Sequence, residues 1–124
     1  MTQEEKDLLL KDLCGRLPYG VKCEVIRRRI DGEMLYIRNG SDALELTVNN
    51  VKELVSDNLY EIKPYLFPLS SMTEEQEKEW RYTLSSDYNI TYDTVDWLNA
   101  HHFDYRGLIE KGLANDATNL GIYK

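Results

Sequence analysis

Side chains able to do chemistry concentrate in one stretch, Trp97 to Ala114 (WLNAHHFDYRGLIEKGLA). His101, His102 and Asp104 are metal-ligand types. Adjacent residues, however, project about 100° apart on a helix and to opposite faces of a strand, so the two imidazoles do not share an ion. The reading is a structural His pair, with no metal and no cofactor. A His oriented by Asp104 or Asp96 is a general acid–base pair, but the same pair also caps a helix end. Tyr105 and Arg106 beside Gly107 can clamp a planar anion by stacking and close backbone approach. The preferred account of these residues is packing: Asp104 caps a last helix, Phe103 and Tyr105 lie under it, and Arg106 pairs with an acidic neighbour.

No nucleophile completes a catalytic set. Cys14 falls at a helix C-terminus, whose negative dipole end disfavours a thiolate, and Cys23 reads as a core-facing strand residue. Ser70 and Ser71 precede a helix N-terminus, but the Glu cluster behind them repels phosphate, and capping explains them. A second candidate surface is the triplet Arg27-Arg28-Arg29, in which Arg27 and Arg29 share one strand face. With Lys22 and Arg38 it makes a basic strip for an acidic partner, a nucleotide phosphate or, by preference, the chain's own acidic segment Glu74 to Glu79.

The elements that must position these residues are legible in the periodicity. Thr2 with Glu5 fits a capping box, and Leu9, Leu10 and Leu13 form one helical stripe with Leu8 at its edge; the spacing predicts a helix from about Gln3 to Cys14, stopped by Gly15. From Val21 the period changes to two. Val21, Cys23 and Val25 alternate with polar or edge positions, Asp31-Gly32 is a hairpin signal, and Met34 to Arg38 alternates again. Leu44, Leu46 and Val48 line a third strand, while 51–55 reads as either strand or helical turn. The apolar run from Leu59 to Phe67 contains Pro64 and ends at Pro68, which predicts an edge strand or the end of a strand. Thr73 with Gln76 starts a helix ending near Leu84, and Thr91 caps another with Val95 and Leu98 inward. Phe103 to Ala114 reads as a further short helix, and 115–124 as a surface tail.

These elements make one α+β domain: helix and turn over 1–20, a bent antiparallel sheet or partial barrel of four or five strands over 21–68, and two or three C-terminal helices over 69–114. The 124-residue length and 42% hydrophobic content suffice for one core without metal or disulfide. No apolar run spans a bilayer and the N-terminus lacks a basic signal region, so a cytoplasmic location is expected. The net charge of −7 is uneven: residues 1–40 hold eight Lys or Arg against seven Asp or Glu, and residues 41–124 hold seven against fifteen. That surface opposes nucleic acid and favours a protein partner.

The segments KDLCGRLPYGVK, IKPYLFPLSSMTEE and WLNAHHFDYRGLIEKGLA resemble a group of small uncharacterised proteins of gut Bacteroides-type bacteria and their phages or prophages. The resemblance implies a small protein of a mobile element and assigns no residue a role. The leading expectation is therefore a non-enzymatic interaction protein, a phage or prophage accessory factor acting on a host protein. The alternatives are a small-ligand or hydrolytic site built from His101, His102, Asp104, Tyr105 and Arg106, and a self-associating structural protein.

Overall fold

The computed structural model describes residues 2–28, 34–38, 44–45 and 60–123. Helix α1 (Gln3–Arg16) opens on the capping box: Glu5 N–H donates to the Thr2 hydroxyl at 3.1 Å and Thr2 N–H to the Glu5 carboxylate at 2.8 Å. Those bonds hold the Glu5 carboxyl below its ordinary value. The helix runs past the expected stop at Gly15. A Cβ on Gly15 would stand 3.2 Å from Asn99 Nδ2, so this glycine permits close helix packing instead of ending a helix. The true stop is the turn Leu17–Tyr19, which carries Pro18 and is closed by Gly20 at φ 68°.

The chain then forms one open sheet from β1 (Lys22–Arg28), β2 (Met34–Arg38), β3 (Leu44–Glu45), β4 (Tyr60–Pro68), β5 (Phe103–Asp104) and β6 (Asn115–Asp116). Strand β1 is antiparallel to β2, β3 and β4. Cys23 pairs with Leu44 on one side and Pro64 on the other, and Val25 with Arg38 and Ile62; β2 and β3 thus share one edge of β1, and β4 takes the opposite edge. The short β5 and β6 run parallel to β4, which makes the sheet mixed where an antiparallel one was expected. The hairpin turn at Asp31-Gly32, the turn at Asn39-Gly40, Leu46, Val48 and 51–55 lie outside the described residues.

Strand β4 is central, a correction of the edge-strand expectation. Leu66 C=O accepts from Ala117 N–H at 2.8 Å, and Phe67 N–H donates to His102 C=O at 2.8 Å. Those two groups belong to one trans peptide and point to opposite sides, so β6 and β5 flank β4 on its two sides. Pro64 fits because of the register. One step beyond the Cys23 and Pro64 pair, the Tyr123 hydroxyl accepts from Lys22 N–H at 2.8 Å and donates to Tyr65 C=O at 2.7 Å, standing where a direct ladder bond would lie. Bonded and non-bonded pairs alternate, so Pro64 occupies a non-bonded position and its missing N–H faces away from β1.

Strand β4 is also covered on both faces. Ile62 and Leu66 join Cys23, Val25, Leu9, Leu13, Leu108 and Leu113 in the main core, whereas Tyr65 packs with Ala117 and Ile122 in a second one, with Phe67 and Tyr123 against it. Residues 115–123, expected as a surface tail, therefore form β6 and the second core. Two further helices follow β4, α2 (Glu74–Tyr82) and α3 (Tyr92–Ala100), each begun by a Thr capping box. The expected helix after Phe103 is replaced by β5 and a series of turns. Among the described residues no helix is long and apolar enough to cross a membrane.

Tyr123→Phe keeps the ring and removes the hydroxyl, leaving Lys22 N–H and Tyr65 C=O without their shared partner. Urea denaturation is expected to show a loss of about 1–3 kcal/mol. A loss under about 0.5 kcal/mol would mean that the two strands simply close the gap.

Candidate functional site

The side chains of the Trp97–Ala114 stretch go to different places, most of them inward. The deepest is a polar node seeded by α1. Positions 9, 12, 13 and 16 share one helical stripe, and Leu9, Asp12, Leu13 and Arg16 are all buried on it. Arg16 Nε donates to Asp12 Oδ2 at 2.8 Å and Arg16 Nη2 to Asp12 Oδ1 at 3.2 Å, both side chains fully buried. Arg16 Nη2 also donates to Phe103 C=O at 2.6 Å, and Arg106 Nε to Asp12 Oδ1 at 3.2 Å. The Tyr105 ring is near both guanidinium groups, its centroid 5.2 Å from that of Arg16 and 4.9 Å from that of Arg106. Its hydroxyl donates to Asn99 Oδ1 at 2.9 Å.

Asp104 is committed to the backbone. Its carboxylate accepts from Leu108 N–H and Ile109 N–H, each at 3.0 Å, and so caps the turn that follows β5. His102 ends α3: it takes the left-handed conformation (φ 61°) directly after the His101 cap, and its C=O starts the pairing with β4. Its ring stacks on Tyr123 with centroids 3.7 Å apart, while the His101 ring lies 4.2 Å from Trp97. The two imidazoles thus face different neighbours. Among the described residues no three His, Cys, Asp or Glu side chains are grouped as metal ligands. Burial, with the Arg16 and His101 charges nearby, pushes His102 down to about 4, and burial raises the Cys23 thiol and the Tyr123 hydroxyl. Cys14 is exposed. Arg27 lies on β1, and Arg29 lies outside the described residues. Lys22 Nζ donates to Ile122 C=O at 3.3 Å, and Glu77 pairs with Arg81 at 2.7 Å within α2.

Among the described residues the most exposed aromatic side chains stand elsewhere, in the connection from α2 to α3 and at the helix ends that flank it. Tyr82, Tyr88, Ile90 and Tyr92 are 90%, 84%, 66% and 92% exposed. Three threonines close the neck of this loop. Thr83 hydroxyl donates to Trp80 C=O at 2.6 Å, Thr91 hydroxyl to Thr83 C=O at 2.8 Å and Thr94 hydroxyl to the same carbonyl at 3.0 Å. Inside it, Tyr88 N–H donates to Ser85 C=O at 2.8 Å, Ser85 N–H to Asn89 C=O at 2.9 Å, and Asn89 N–H to the Ser85 hydroxyl at 3.0 Å. The ends are close and the backbone is internally bonded, a compact loop of the kind that often carries function.

The buried Asp12 and Arg16 have a signal in the sequence, an Asp–Arg pair spaced by four on the same stripe as two leucines. The tyrosine loop has a weaker one, three Tyr and an Ile within the eleven residues 82–92, with Thr83 and Thr91 just inside the outer two tyrosines. No family model, curated protein or solved structure matches the chain.

Two measurements check the site. Asp12→Ala leaves the buried Arg16 guanidinium without its carboxylate beside the half-buried Arg106, and an unfolding cost of about 3–5 kcal/mol is expected, against about 1 kcal/mol or less for Glu77→Ala at the exposed pair. For His102 the folded chain holds the neutral form to about 4 while the unfolded chain takes a proton near 6.5. Between these values the unfolded state binds more protons, so this contribution is complete above about pH 6.5 and is lost as the pH falls toward 4. His102→Asn, which tolerates the left-handed backbone, is expected to flatten stability against pH in that window. An unchanged slope would show that carboxylates alone set it.

Proposed function

We propose that this protein is a non-enzymatic binding protein that docks a protein partner through the loop between α2 and α3. The observation that carries the reading is the exposure of Tyr82, Tyr88, Ile90 and Tyr92 on a backbone already fixed by its own hydrogen bonds. Tyrosine contributes large contact area with few rotatable bonds, and it is enriched where interfaces concentrate their binding energy. A preformed loop loses little conformational freedom on docking. The side chains of His101 to Arg106, in contrast, divide between two ring stacks, a backbone cap and an internal ion pair, which favours this reading over a shared pocket in that stretch.

Charge specifies the partner. Residues 74–96 carry Glu74, Glu75, Glu77, Glu79, Asp87, Asp93 and Asp96 against Lys78 and Arg81, all exposed. Two copies of this surface repel one another, which opposes self-association through it, and an apolar patch rimmed by Lys and Arg complements it. With the resemblance to proteins of bacteria and their phages, the partner becomes a basic host protein engaged by an accessory factor.

The test immobilises the wild-type chain and the triple variant Tyr82→Ala, Tyr88→Asn, Tyr92→Ala, and compares proteins retained from host lysate by quantitative mass spectrometry. The expected result is a basic protein retained by the wild type, at least ~10-fold depleted on the variant and released by added salt, with melting temperatures of the two chains alike. Identical retained sets on both would remove the reading.

A further inference from the structure

The second core leaves a cleft at its surface. Two adjoining hollows of about 420 and about 270 Å³ share Phe67 and Asn119 as a common wall, close to the size range of small-molecule sites. Among the described residues, none lining either hollow is Asp, Glu, Lys or Arg, in a chain of which these make up 30%. The walls are aromatic and mutually braced. Phe67 lies 6.1 Å from Phe103 and 6.0 Å from Tyr123, inclined at 56° and 54°, and Phe103 is backed by Trp97 at 5.7 Å and 8°.

Three polar groups stand in the cleft lining with capacity to spare. Gln76 Oε1 is taken by Thr73 N–H at 2.9 Å, which leaves its Nε2 uncommitted. The Asn119 amide and the His101 imidazole have no hydrogen-bond partner among the described residues. An uncharged aromatic lining offers no counter-ion to a desolvated charge, and the −7 field of the chain opposes phosphate. Amide groups beside ring faces instead suit a flat ligand that presents both donors and acceptors along one edge.

We propose that this cleft binds a neutral, planar, amide-bearing heterocycle of nucleobase size, stacked against the Phe67 and His101 rings and held at its edge by Gln76 and Asn119. The ligand enters as a free base or nucleoside, because a nucleotide brings the phosphate that the field disfavours. The site is independent of the tyrosine loop.

Uridine, guanosine, inosine and nicotinamide are titrated while tryptophan fluorescence and ligand saturation-transfer signals are followed. At least one is expected to saturate below about 1 mM, with its monophosphate at least ~10-fold weaker. Gln76→Glu retains the capping-box acceptor but removes the amide donor and adds charge, and Asn119→Gly keeps the left-handed backbone (φ 65°) without the side chain. Each is expected to weaken binding at least ~5-fold with an unchanged melting temperature, while the triple tyrosine variant binds as the wild type does. Absence of saturation with all four probes, equal affinity in both cleft variants, or displacement of the bound probe by tetramethylammonium, which would make the rings a cation cage, each overturns the proposal.

Discussion

A carboxylate shut away from water must be neutralised where it stands, and Asp12 sets that condition for much of this chain. Arg16, one turn further along α1, supplies the first guanidinium and bonds both carboxylate oxygens, the Oδ1 contact being the longer at 3.2 Å. Arg106 supplies the second from the far end of the chain. That bond fixes the backbone from β5 into the turn capped by Asp104, and Arg16 reaches the same place through Phe103 C=O. The node therefore acts less as a source of stability, since buried pairs seldom outperform apolar side chains, than as a selector of how β5 meets α1. Tyr105 closes the arrangement, its ring taking both cations and its hydroxyl tying α3 through Asn99.

Strand β4 depends on that placement. A strand with neighbours on both sides and cores on both faces needs apolar residues at every position, and Ile62-Lys63-Pro64-Tyr65-Leu66-Phe67 comes close. Even positions meet α1 and Leu108, while odd positions meet the C-terminal segment. The Tyr123 hydroxyl holds β1 and β4 apart at the one rung where it replaces their direct bond, and its ring supports His102, whose left-handed backbone turns the chain from α3 into β5. The two cores are thus joined through a small set of polar and aromatic contacts.

How much of this was legible depends on the range of the forces involved. Helix caps at Thr2, Thr73 and Thr91 are local and appear at the residues where they are expected, as does the period of two from Val21 to Val25. The α+β class followed from those local signals. Gly15 and Pro64 show the limit: each reads locally as punctuation, yet one permits the approach of Asn99 and the other sits in a non-bonded rung of a central strand, facts fixed by distant partners. The last ten residues looked like a tail because Ala117 and Ile122 are too sparse to show a period, although they cover Tyr65. In the 101–106 stretch, residue type suggested chemistry, whereas spacing already argued against a shared ion. Capping by Asp104 and an ion pair for Arg106 are already the preferred sequence reading; the fold supplies the partners, the Leu108 and Ile109 N–H groups and Asp12.

That internal commitment bears on where recognition can occur. A side chain whose hydrogen bonds are all taken by its own fold gains nothing from a ligand unless those bonds break, so Asp104, Tyr105 and Arg106 make a poor surface for binding. The connection after α2 has the opposite property. Its backbone groups bond one another and the three threonine hydroxyls, which leaves the loop ordered while Tyr82, Tyr88, Ile90 and Tyr92 keep most of their area in water. Burying that area against a partner gains hydrophobic stabilisation without a matching loss of backbone freedom. The acidic residues around it then decide which partner can approach. Fold and recognition therefore draw on separate residues: Asp12, Arg16 and Arg106 hold the architecture together from within, and the tyrosines remain available outside it.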